Sequence, residues 1–207
     1  ASDVYKRQDE AVAIQNAKTS IFDGNIGFNG LVSTKTATPT FDMDLNLNSL
    51  DIPQAFTQLE MLKKIAPIAD VLSGKLNAGV KVGGKLDSKE MTPDMNSLSG
   101  SLGGSLANAV IHTDKSKVLQ ALTGKVKFLD PSKLNLNQKI NLTFNDGKVN
   151  IQPFVVKYKN QDIKISGTHG FDQQMSYTAS VDVPAKEFDQ LVDKAAAIKV
   201  DISKIVV

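Results

Sequence analysis

His112 and His169 are the only side chains in the 207 residues whose charge ordinarily changes near neutral pH, so acid or base chemistry would start from them. Neither sits in a His-Glu-x-x-His pattern or beside a recognisable nucleophile motif, and both occur in Gly- or Thr-containing contexts that read as surface turns. A second constellation is Asp42, Asp44, Asn46 and Asn48, four oxygen donors in series that suggest calcium. They alternate with Phe41, Met43, Leu45 and Leu47, however, which is a strand pattern. Same-face neighbours on a strand lie about 7 Å apart and cannot converge on an ion that needs ligands at about 2.3 to 2.6 Å. The series is therefore read as a solvated strand face. Gly83-Gly84 lacks the Gly-Lys-Ser/Thr ending of a phosphate loop, and Asp146 and Asp172 are accounted for by turn chemistry. The chain has no cysteine, which removes disulfides, thiolate metal ligands and thiol nucleophiles together. These residues support no enzyme, no metal and no cofactor.

The elements that would position any site are mainly strands. From Gln138 to Pro184 the chain reads as a four-strand antiparallel meander. Ile140, Leu142 and Phe144 alternate with Lys139, Asn141 and Thr143. Asp146-Gly147 then supplies a two-residue hairpin turn, and Val149 and Ile151 resume the alternation. Reversals at Asn160-Gln161 and at Gly170 to Gln173 lead into Ile163 and Ile165, and into Met175, Tyr177, Ala179, Val181 and Val183. Upstream, a hairpin is expected at Asp23-Gly24-Asn25, with Ile26, Phe28 and Val32 on one face. A further strand with Leu76, Ala78, Val80, Val82 and Leu86 on one face has a bulge or bend at Gly83-Gly84.

Helices are expected in three places. Asp51 and Pro53 start one carrying Ala55, Phe56, Leu59, Leu62 and Ala66, kinked at Pro67 and stopped at Gly74. Asp114 caps a short one with Val118, Leu119 and Leu122, and Pro184 opens a third with Phe188, Leu191, Val192, Ala195 and Ile198. The fold class is thus β-rich α+β: a curved, mainly antiparallel sheet forming an open groove or partial barrel, with two or three amphipathic helices over one face or an end. Residues 1–8 do not share the pattern and read as a non-native scar or disordered start, leaving 9–207 as a single domain.

Lysine plus arginine number 24 against 22 acidic residues, a net charge of +2 spread along strands, which gives nucleic acid no concentrated basic face. Tryptophan is absent and no run approaches the roughly 18 apolar residues of a membrane-spanning helix.

Several runs in fixed order resemble a known family. They are Phe41 to Asn46, Lys64 to Ala69, Leu72-Ser73-Gly74, Met91 to Asp94 with Leu98-Ser99-Gly100, Asp146 to Val149 followed by Pro153-Phe154, Ile165-Ser166-Gly167, Gly170-Phe171-Asp172, and Met175-Ser176-Tyr177 ending at Val183-Pro184. Over residues 19–184 the chain is similar to the C-terminal region of AsmA-family proteins of the Bacteroidetes type, relatives of TamB and of bridge-like lipid-transfer proteins. The resemblance implies a non-enzymatic periplasmic module of a longer protein, tethered to the inner membrane by a segment outside this chain and serving outer-membrane biogenesis. It implies phospholipid, or another acyl-chain lipid, moving between inner and outer membranes along an apolar β-groove. The groove candidates are Ile140, Leu142, Phe144, Val149, Ile151, Ile163, Ile165, Tyr177, Ala179 and Val181. The alternative expectation is a capping or docking module that binds an envelope protein and contacts no lipid.

Overall fold

The computed structural model describes residues 5–8, 10–59, 62, 65–116, 119–120, 130–159, 161–172 and 174–181. Its strands are β1 Tyr5–Gln8, β2 Ala11–Ile21, β3 Gly24–Ser33, β4 Thr40–Asp51, β5 Leu72–Lys85, β6 Ser99–Ile111, β7 Lys139–Asn145, β8 Lys148–Tyr158, β9 Gln161–Gly170 and β10 Met175–Val181. All ten form one sheet in which spatial order equals chain order and every pair is antiparallel. Among the described residues β1 and β10 do not pair with each other, so the sheet is open and not a barrel.

Short turns enforce this order where strands meet directly. Asp146 (φ 48°) and Gly147 (φ 71°) make the expected two-residue turn between β7 and β8. Between β2 and β3 the turn falls one step earlier than the sequence suggests, on Phe22 and Asp23, both at φ 51°. Gly24 instead opens β3, because an added Cβ there would lie 2.6 Å from the Asn48 carbonyl oxygen of β4.

Curvature comes from bulges, and they fall on alternate strands. Residues 15–16 of β2, 48–49 of β4, 108–109 of β6 and 152–153 of β8 each oppose a single residue on the following or preceding odd-numbered strand. Asn16, Ser49 and Asn108 adopt φ 53° there. Two of these strained backbones are capped alike: Asn16 N–H donates to Asn29 Oδ1 at 2.8 Å and Ser49 N–H donates to Asn77 Oδ1 at 2.9 Å. Each bulge bends and twists its strand. The bend expected at Gly83-Gly84 is not one of them: the β4 to β5 ladder runs through both residues without a shift. Gly74 likewise ends no helix, but sits at φ 127° opposite the β6 bulge, where an added Cβ would meet β6 backbone at 2.9 Å.

Of the expected helices, the described residues contain one α-helix, α1 Ile52–Gln58, and four short 3-10 turns. Asp51 caps α1 by accepting the Gln54 N–H at 3.1 Å, and Pro53 occupies the first turn as expected. Leu62 and Ile65 are helical again, with Ala66 N–H donating to the Leu62 carbonyl at 2.8 Å. The chain then passes through a 3-10 turn at Pro67–Val71 into β5 at Leu72, so Leu72 to Gly74 are strand and not helix. Alternation of Leu72 and Leu76 toward the core outweighs the helical spacing of a few residues. The helix expected after Asp114 is a 3-10 turn, Thr113–Lys115, followed by helical residues 119 and 120. Val118, Leu122 and the Pro184 helix lie outside the described residues.

One sheet face carries two apolar clusters. At one end of the strands Ile52, Ala55 and Phe56 of α1 pack with Leu106, Val156, Tyr158 and Ile163 and with Leu136 before β7. At the other end Phe41, Leu86, Leu98, Leu142, Phe144, Val149 and Ile151 form the second cluster. Leu98, Val149 and Val156 are fully buried, each contributing about 1.5 to 3 kcal/mol.

Candidate functional site

The register lines the apolar side chains into rows that cross the strands. The central row runs Ala17, Phe28, Leu45, Val80, Leu102, Leu142, Ile151, Gly167, Tyr177, each directly opposite the next. A row on one side runs Thr19, Ile26, Leu47, Ala78, Gly104, Ile140. The row on the other runs Ile14, Gly30, Met43, Val82, Gly100, Phe144, Val149, His169, Met175. No Lys, Arg, Asp or Glu interrupts them.

All ten groove candidates lie on this face, since the register carries Ile163, Ile165, Ala179 and Val181 onto it with the others. The structure does bring them together, but largely as core. Leu142, Phe144, Val149, Ile151 and Ile163 are buried, and Ile140 and Ile165 pack against the α1 cluster. Tyr177 packs against the second cluster and Ala179 is exposed. The burial of the Val181 side chain lies outside the described residues.

Where the same rows cross β2 to β5, cover is missing among the described residues. Ile14, Ala17, Ile26, Phe28, Leu45, Leu47 and Val80 are half-buried and belong to neither cluster. Val12 and Ile21 on the same face are 38% and 42% exposed. From β2 to β5 this surface spans three strand spacings, about 14 Å. Alternation made these residues visible in sequence, but nothing in it showed that the cover stops before them. Phe154, Val156, Tyr158 and Met175 share the face too. The signal for the first three was Pro153: the bulge at 152–153 shifts the inward parity from odd to even residues.

The opposite face is mainly polar, with Leu31, Val110 and Val155 as exposed apolar exceptions. Asp42, Asp44, Asn46 and Asn48 are exposed on it, as their alternation requires. A shallow depression of about 680 Å³ lies around Gln15, Asn29, Asp42, Asp44, Lys81 and Ser99. Among the described residues no three His, Asp or Glu side chains are placed to hold a metal ion.

His169 is not a surface turn residue, whereas His112 stands at the start of the 3-10 turn Thr113–Lys115. His169 lies within β9, 2% exposed, with Nδ1 2.8 Å from the Tyr177 hydroxyl and Nε2 2.6 Å from the Ile65 carbonyl oxygen. A carbonyl only accepts, so Nε2 carries the proton, and in the neutral ring Nδ1 accepts from Tyr177 O–H. Burial lowers the imidazole pKa, countered in part by the Ile65 carbonyl, and burial pushes the Tyr177 phenol up to about 12. The alternation Ile163, Ile165, Gly167, His169 could have revealed this inward position. His112 is half-buried and its Nε2 lies 2.9 Å from Ser73 Oγ. That bond ties the turn after β6 to β5, and no carboxylate orients the ring among the described contacts.

Among the described residues no helix is long and apolar enough to cross a membrane. Comparisons with protein-family models, with characterised proteins and with solved structures find no match to this chain.

Proposed function

We propose that this chain is a non-enzymatic acyl-chain-binding module, the periplasmic part of an AsmA-like envelope protein that moves phospholipid between inner and outer membranes. The observation that supports it is the stretch of charge-free rows over β2 to β5 that no described residue covers, with Phe28, Leu45 and Val80 at its centre. A contiguous apolar surface of this kind is unfavourable in water unless something apolar occupies it. Its rows run across the strands, so an extended acyl chain lies along them while its headgroup stays in water. The working surface is then β2 to β5, and the candidates on β7 to β9 serve as the closed core beside it.

Native mass spectrometry of the chain purified from bacteria tests this. Wild type carries phospholipid, and Leu45→Asp, which places a carboxylate in the central row, loses it while keeping its strand content. Equal lipid on both, or none on the wild type, counts against the function. The reading as a capping or docking module draws support from the covered half, where α1 packs with residues of β6, β8 and β9. In-cell crosslinking that traps protein and no lipid at Phe28 would favour it.

A further inference from the structure

We draw no further inference here: the strongest candidate, the shallow depression on the polar face around Asn29, Asp42, Asp44 and Lys81, is a cluster of exposed side chains in which no buried, unpartnered polar group among the described residues points to a ligand.

Discussion

Leu45 and Leu142 occupy the same row of the same sheet face, three strands apart, yet Leu142 is buried and Leu45 is not. The two regions have the same alternation, antiparallel register and absence of charge in their rows. They differ in what lies above. Over β6 to β9 and the two ends of β5 the face is closed by α1, Ile65, Leu98 and the chain around Leu136. Over β2 to β4 the described residues join the clusters only at the margins, through Phe22 beside β2, Val32 of β3 and Phe41 and Met43 of β4. Strand pattern therefore sets which face is apolar, and the inserted segments between strands set how much of it is core.

Substitutions can break this contrast, most strongly in the covered half. Phe144→Ala, at 3% exposure, should lower stability by about 3 to 5 kcal/mol in urea unfolding. Phe28→Ala should cost clearly less, because its ring already meets water. Equal losses would mean that the two regions are packed alike. Backbone contacts give the next effect. An added Cβ at Gly100 would collide with the Lys81 carbonyl oxygen and the Phe144 ring, whereas one at Gly79 meets nothing within 4 Å. Gly100→Ala should then cost about 1 to 3 kcal/mol, and Gly79→Ala should be neutral or slightly stabilising, both read from thermal melts. Asp51→Ala removes the cap of α1 and the partner of Lys75 at 3.3 Å. It should cost about 1 kcal/mol and raise exchange in α1 first, leaving β2 and β3 unchanged. The smallest change is in the surface turns. Backbone N–H groups of Glu90 and Lys89 hold the Asp87 carboxyl below its usual range, so that turn is at full strength above 3.8 and loosens as the pH falls through the lowered value. Exchange of the Lys89 and Glu90 amides should rise there with no change in the sheet.

Much of the fold was legible because period-2 alternation survives in nearly every strand and Asp146-Gly147 fixes a hairpin. The helices were less legible. Ala55, Phe56 and Leu62 keep helical spacing and are helical, with Ala66 N–H donating to the Leu62 carbonyl at 2.8 Å. But α1 itself ends at Gln58 and Leu72 belongs to β5, since pairing with Ile111 outweighs weak local propensity. The bulges were hidden for a physical reason: they depend on positive φ at Asn16, Ser49 and Asn108, which side-chain periodicity does not encode. The candidate face was readable and its cover was not, because burial of Leu142 depends on Leu98 and Phe41, distant in sequence. The inward position of His169 was readable from its alternation with Ile163 and Ile165, but its partner Ile65, 104 residues away, was not.

The most direct test of the central claim, that the uncovered rows of β2 to β5 hold acyl chains, is a photo-crosslinking amino acid placed in living bacteria at Phe28 and, separately, at the adjacent Asn29 on the polar face. Phospholipid adducts should form at Phe28 and not at Asn29. Equal labelling at the two positions, or protein adducts alone at Phe28, would contradict it.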